Sequence, residues 1–250
     1  MCALVLAAGE GRRLRPLTWL RPKPLCPVGG RALVDLALDR ARTATAAVAV
    51  NVHNGRAAIE GHLAADPAVH VSVEDAEALG TAGAVAHLRP WIDGRGVLVL
   101  NGDTWAPGDL AAATGGWDRE RVRLLVAGDD RLRPPDRPTS RIAAALLPWD
   151  EVARLAPVPS GLWEASWQAL HAAGRLDVVR WDGPCLDCGT PARYLAANLA
   201  SSEGAPVVGE GCEVAGTLVR SVLWPGTRVR KGEVLVDAVR ASDAMTVLVR

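Results

Sequence analysis

The sequence is poor in several residue types, and each shortage removes a class of protein. It has no phenylalanine, one tyrosine and two lysines in 250 residues, so nearly all of its 28 basic residues are arginines. Those 28 balance 28 acidic residues. With zero net charge there is no global field to recruit nucleic acid or an anionic membrane, and neither is expected as a partner. No stretch approaches the roughly 18 to 20 apolar residues that a membrane helix needs. The opening MCALVLAAGEG lacks a positive leader and reads as a strand and a turn, not a signal peptide. Five cysteines, at positions 2, 26, 185, 188 and 212, make no disulfide framework and suit a reducing, cytoplasmic setting. Cys185 and Cys188 form a lone CxxC without the second pair a zinc site wants, and we read them as packing.

What is present is a regular alternation. Short apolar strands are expected at 3–7, 46–52, 69–73 and 96–100, with helices at 32–41, 59–65 and 82–88 between them. This predicts an α/β fold, a Rossmann-like, mostly parallel sheet flanked by helices. The second half is less regular, with strands at 121–127, 141–147 and 176–181, a helix at 161–173, and a helix begun by Pro191 and capped by Thr190. Between 129 and 140 lies the proline-rich DDRLRPPDRPTS. From 204 onward the pattern changes. Gly226 and Gly232 are six apart, as are Val208 and Val214, which predicts a short C-terminal left-handed β-helix-like tail with its period broken between 215 and 224. The expected units are residues 1–203 and 204–250. The exposed ends of so short a coil suggest stacking against another subunit, a homo-oligomer through the tail, or against the main domain.

Ligands of such sheets bind beyond the carboxyl ends of the strands. The first strand ends there in GEG and the fourth in NGD. Backbone amides in a glycine turn can cradle phosphate oxygens, yet Gly9-x-Gly11 alone is weak evidence. Leu14 stands where a dinucleotide fingerprint wants its third glycine, and no GK[ST] follows to make a P-loop. Arginines crowd the turn instead, and their forked guanidinium suits a polyphosphate. Lys23, one of two lysines, sits in RPKPL between prolines that are expected to hold it extended and non-helical. Asp103 ends the apolar VLVLNGD, and Asp187 precedes a glycine in LDCGT. Two such carboxylates could hold one Mg²⁺ against phosphates, although 84 residues separate them.

LAAGEGRRLRPLT (6–18), RPKPL (21–25), the stretch from Glu74 through LGTAGA (79–84), NGD (101–103) and LDCGTPARYL (186–195) occur in that order. Together they resemble the sugar-1-phosphate nucleotidyltransferases over residues 4–200. The resemblance implies a Mg²⁺-dependent, cytoplasmic enzyme whose partners are an NTP and a sugar 1-phosphate and whose products are an NDP-sugar and pyrophosphate. It implies that Leu6, Ala8, Gly9, Gly11 and Arg13 bind the nucleotide, with Gly9, Gly11 and Arg13 holding its triphosphate, and that Lys23 contacts phosphate at the reaction. Glu74, Gly80, Thr81 and Gly83 would face the base and sugar, and Asn101, Gly102 and Asp187 the substrate. Asp103 and Asp187 would bind the metal, with Arg13, Lys23 and Asp103 as the catalytic set.

LGTAGA and the tail resemble the guanylyltransferases that make GDP-mannose or related sugars, so GTP and a mannose- or heptose-type phosphate are favoured. NGDTW resembles uridylyltransferases acting on N-acetylmuramic acid 1-phosphate, and a uridylyl- or thymidylyltransferase is the alternative. Many relatives carry a glutamate–lysine pair that grips the sugar, and no EK occurs in this chain. That absence opens a second alternative, a silent nucleotide-sugar-binding regulatory subunit. Arg131, Arg133, Arg137 and Arg141 in the middle loop could serve an unusual sugar phosphate. Trp163 and Glu164 fall in a substrate-side helix, with Trp163 expected to pack.

Overall fold

The structure is a computed structural model that describes residues 1–128 and 141–249; of Arg141 it describes the backbone only. The four arginines singled out in the middle loop therefore lie outside the described side chains. Among the described residues, seven strands form one sheet in the order Asp177–Trp181, Arg123–Ala127, Arg141–Leu147, Val97–Asn101, Cys2–Leu6, Val48–Val52, Val69–Val73. All neighbours run parallel except Arg141–Leu147, which is antiparallel to both its partners.

Continuous apolar strands form here because both sheet faces are covered. Within Cys2–Leu6 the side chains alternate, as a pleat requires. Ala3 and Val5 enter a core beneath Leu33–Arg42 and Arg56–Leu63, while Cys2 and Leu4 enter a second core beneath Gly80–His87. Each fully buried leucine or valine there contributes about 1.5–3 kcal/mol, so the central strand is well anchored. Leu6 pairs with Asn51 on one side and Asn101 on the other. Apolar strands thus end in polar residues along one carboxyl edge.

The expected helix at 161–173 is divided: Trp163–Trp167 winds as a π-helix and Gln168–Ala172 as an α-helix. Thr190 caps Pro191–Ser201 by accepting the Arg193 N–H at 3.3 Å. Beyond it the chain makes short parallel ladders, Val207–Val208 on Val222–Leu223, Glu213–Val214 on Arg228–Val229 and Thr217–Val219 on Val234–Val236. The ladders run on through Thr217–Val219, but their spacing changes where the period is expected to break: partners lie 15 residues apart through Glu213–Val214 and 17 apart from Thr217–Val219 onward. A hairpin of Ala238–Ser242 and Met245–Leu248 closes the chain. No described helix is long and apolar enough to cross a membrane.

Candidate active site at the carboxyl edge of the sheet

Gly11 takes a left-handed φ of 68°, and a Cβ on it would meet Thr18 Cγ2 at 3.0 Å and Lys23 Cβ at 3.1 Å. Only a residue without a side chain turns this way while passing so close to the lysine. Thr18 fixes the loop by donating its hydroxyl to Gly11 O at 3.1 Å. Pro22 is extended as expected, but Lys23–Leu25 then forms one 3₁₀ turn. Pro24 falls in the first turn, where its missing N–H leaves no bond unmade. The turn drives Lys23 inward, leaving it 6% exposed.

A buried ammonium must be paired, and Lys23 Nζ donates to Asp103 Oδ2 at 2.7 Å and Asp187 Oδ1 at 3.2 Å. The distance in sequence between the two aspartates is closed by a short antiparallel ladder: Thr104–Trp105 pairs with Leu186–Asp187, and Cys188 N–H donates to Asp103 O at 3.1 Å. Gly102 lies against the first strand, its N–H on Leu6 O at 2.9 Å, and a Cβ there would stand 2.9 Å from the same oxygen. Burial pulls the Lys23 ammonium down, but the two carboxylates outweigh it and hold its pKa above the ordinary value. Burial likewise pushes Asp187 up, and Lys23, Arg13 and Arg193 overcome it, so its carboxyl titrates below the usual range.

The arginines of the loop divide. Arg12 and Arg15 pair with Glu10, whereas Arg13 reaches over the rim to Asp187 at 3.8 Å. Arg12, Arg13 and Glu10 border a cavity of about 280 Å³ lined also by Gly9, Gly11, Lys23 and Asp103. Leu6 also belongs to a second cavity of about 200 Å³, whose walls include Thr81, Asn101, Leu162, Trp163 and Trp167. The edge therefore carries a cationic phosphate-sized hollow beside an apolar one, and Leu6 borders both.

The remaining sequence-derived residues separate by role in the fold. Ala7 N–H donates to Asn51 Oδ1 at 2.9 Å, and Ala8 O accepts from Asn54 Nδ2 at 2.8 Å. Glu74 is buried, with one carboxylate oxygen taken by Asn51 Nδ2 at 2.7 Å and the other by Leu79 N–H at 2.8 Å. Its carboxylate thus ties the first two loops together. A Cβ on Gly80 would strike Ser160 O at 2.5 Å and one on Gly83 Val158 O at 2.3 Å. Thr81 Oγ1 accepts the Leu162 N–H at 2.8 Å. LGTAG is therefore sewn onto residues 158–162, which form a wall of the apolar cavity. Cys185 and Cys188 are buried and join no disulfide, and burial pushes the Cys188 thiol up to about 12.

Sequence reasoning missed Asn51, Arg193 and Gly189. Arg193 Nη1 donates to Asp187 Oδ2 at 3.0 Å, and a Cβ on Gly189 would lie within 3.0 Å of both Asp187 and Arg13. Asn51 is the one polar residue of the strand Val48–Val52, next to its last position and level with Asn101, a legible signal. The two contacts to Asp187 depend on a turn that spacing alone does not fix. Among the described residues no group of three or more His, Cys, Asp or Glu could hold a metal by itself.

An α/β sheet with a glycine turn, a paired lysine and arginine at its carboxyl edge is built for nucleotide phosphates. The nucleotidyl transferase family profile matches residues 2–119. The chain is 32% identical over 234 residues to the N-acetylmuramate α-1-phosphate uridylyltransferase of Caulobacter vibrioides, covering 80% of this chain and 97% of that relative. It is 32% identical over 113 residues to the mannose-1-phosphate guanylyltransferase of Mycobacterium tuberculosis, covering 44% of this chain and 32% of the relative. A solved UDP-glucose pyrophosphorylase from Acinetobacter baumanii shares the fold with a TM-score of 0.64 at 18% identity, over 80% of this chain and 92% of that one. The chain belongs to the sugar-1-phosphate nucleotidyltransferase family. Its general activity is NTP-dependent nucleotidyl transfer to a sugar 1-phosphate, which forms an NDP-sugar.

Proposed function

We propose that this chain transfers a uridylyl group from UTP to an N-acylated sugar 1-phosphate, of the N-acetylmuramate type, and releases pyrophosphate. The observation that carries nucleotidyl transfer is the single point at which Lys23, Asp103 and Asp187 meet beneath the glycine turn. UTP is favoured over the GTP suggested by LGTAGA because the uridylyltransferase relative is matched across four fifths of this chain, the guanylyltransferase across less than half. An acyl substituent is favoured over a bare hydroxyl face because Ile142, Trp163 and Trp167 give the second cavity apolar walls. A mannose- or heptose-type guanylyl transfer is the second reading, resting on LGTAGA and on the coil.

In the reaction a phosphate oxygen of the sugar phosphate bonds to the α-phosphorus while the bond from that phosphorus to the bridging oxygen of pyrophosphate breaks. Positioning and charge neutralisation would supply most of the acceleration. Arg13 steadies the departing pyrophosphate, Lys23 offsets charge on the transferring group, and the Gly9–Gly11 turn lines the triphosphate. Two carboxylates without a third acidic, His or Cys neighbour among the described residues suit a hard ion such as Mg²⁺, which takes oxygen ligands. Asp103 and Asp187 would hold it, and it would supply charge neutralisation at the α-phosphate. We take 1–203 as the catalytic unit and 204–250 as a left-handed β-helix segment built onto it, in a cytoplasmic protein that can associate through that coil.

The test is pyrophosphate release with UTP, GTP, dTTP, CTP and ATP against mannose, glucose, heptose, N-acetylglucosamine and N-acetylmuramate 1-phosphates. UTP with an N-acylated sugar should lead, and D103N should demand more Mg²⁺ and turn over more slowly. Preference for GTP with mannose 1-phosphate would replace the reading. Nucleotide binding without turnover on any pair would favour a regulatory subunit.

A further inference from the structure

Four charged residues of the candidate site, Arg13, Lys23, Asp103 and Asp187, stand near apolar residues rooted in one buried cluster. Leu14 follows Arg13, Cys26 lies one turn beyond Lys23, Trp105 lies two beyond Asp103, and Cys188 follows Asp187; all four share that cluster. The rest of the cluster comes largely from the helix Pro191–Ser201 and from the C-terminal coil, with Trp224 buried to 2% exposure. The floor beneath the candidate catalytic groups is therefore made in part by the coil.

One side chain of the coil reaches further. The Trp224 indole N–H donates to Tyr194 Oη at 2.9 Å, and the Tyr194 hydroxyl donates to Pro27 O. Asn198 Nδ2 donates to the same carbonyl at 3.4 Å, and Gly29 N–H donates to Asn198 Oδ1 at 3.2 Å. On the other side of Lys23, the Arg21 guanidinium lies over the Trp224 ring, 5.1 Å from its centroid. Trp224 thus grips the lysine-bearing segment both before and after Lys23. It is itself immobilised, its N–H on Arg240 O at 2.9 Å and its carbonyl accepting from Thr227 Oγ1 at 2.9 Å.

We propose that Trp224 and Tyr194 are positioning residues for Lys23, so that the coil is a working part of the candidate active site. Lys23 has little freedom to correct a displaced backbone, since its ammonium is buried between two carboxylates. A shift of about 1 Å in a reacting group can cost on the order of a hundredfold in rate. The inference rests on the nucleotidyl-transfer reading for its kinetic consequence but not for its structural one.

Two measurements on the full-length chain test it. In Y194F, which removes one hydroxyl from the bridge, the amides of Leu25 and Cys26 should exchange hydrogen at least about tenfold faster, with Cys2–Leu6 unchanged. W224F should do the same, and R21Q to a smaller degree. In turnover, Y194F should lower kcat by about tenfold with KM for the NTP nearly unchanged. The same substitution placed in K23A should lower kcat no further. Unchanged exchange at 22–29 in both Y194F and W224F would overturn the brace. An equal loss in the K23A background would show that the two residues act elsewhere than through Lys23. If the wild-type chain turns over no substrate pair, the catalytic reading fails, and the exchange measurement still decides the brace.

Discussion

Among the described residues three cations are buried: Arg40, which donates to Ala143 O and lies over the Trp181 ring, and two that invite comparison, Lys23 at the sheet edge and Arg240 in the coil, 6% and 9% exposed. Each of these two is paired with carboxylate, and they differ in what is left over. Arg240 is spent: Nε donates to Thr246 Oγ1 at 2.9 Å, Nη1 to Arg228 O at 2.6 Å, and both terminal nitrogens to Glu233. Lys23 is one ammonium between two carboxylates, with Arg13 and Arg193 also drawn to Asp187 from the rim. The first arrangement closes a network within the coil. Both arrangements border a cavity, but in the second three cations, Lys23, Arg13 and Arg193, share two carboxylates, and that excess of cation is what a phosphate substrate can complete. Burying a charge is costly unless its partners are arranged around it, so the surplus at Lys23 points to a ligand.

The sharpest way to break this comparison is to remove each cation in turn. K23M should lower turnover on the order of a hundredfold, because it deletes an interaction expected to be strongest in the transition state. Its melting temperature should move little, since Asp103 and Asp187 both keep contact with water. R240M should do the reverse, lowering the melting temperature by several degrees with turnover retained. Near-normal kcat in K23M, or loss of turnover in a folded R240M, would erase the distinction between the two cations.

A smaller effect is expected from G102A. Its Cβ would meet Leu6 O at 2.9 Å and Val5 Cγ1 at 3.0 Å, and the first strand, paired on both sides, is poorly placed to yield. The NGD turn should move instead and carry Asp103 with it, costing roughly tenfold in rate for a displacement under 1 Å. Steady-state kinetics alongside thermal melts would separate this from simple destabilisation. Unchanged kcat would mean that Asp103 does not need its present position relative to Lys23.

Much of this edge was legible in the sequence, and for an identifiable reason. Cys2–Leu6 is a continuous apolar run and Val97–Asn101 one that closes in asparagine, and the polar or glycine residues after such runs mark where strands stop. Gly11 and Asp103 were found this way, and Lys23 as one of two lysines, set between prolines. The sequence did not disclose that Asp187 meets Asp103, because a two-residue ladder joins them and so short a pairing has no periodic signature. Nor did it disclose that Glu74 is bonded inward. A carboxylate before a glycine turn looks the same whether it faces a base or a backbone N–H, and the outcome depends on Asn51 arriving from another strand. Trp224 was silent too: in a coil that repeats every 15 or 17 residues, one buried indole looks like filling until its N–H is traced to Tyr194.

The smallest effect concerns pH and separates the two cations once more. The Arg240 side chain and the Arg230 N–H hold the Glu233 carboxyl below the ordinary carboxylate range. A depressed folded-state pKa contributes stability that is present above the unfolded value, about 4.3 for glutamate, and is lost as pH falls through the folded value. E233Q removes that titration. The gap in melting temperature between wild type and E233Q should therefore be widest near neutrality and shrink in acid below the ordinary carboxylate range, with turnover at neutral pH preserved throughout. A gap that stays constant across that acid range would mean that Glu233 supports the coil by shape and not by charge. Arg240 would then cease to be a counterpart of Lys23, and the excess of cation at the sheet edge would have to be judged without it.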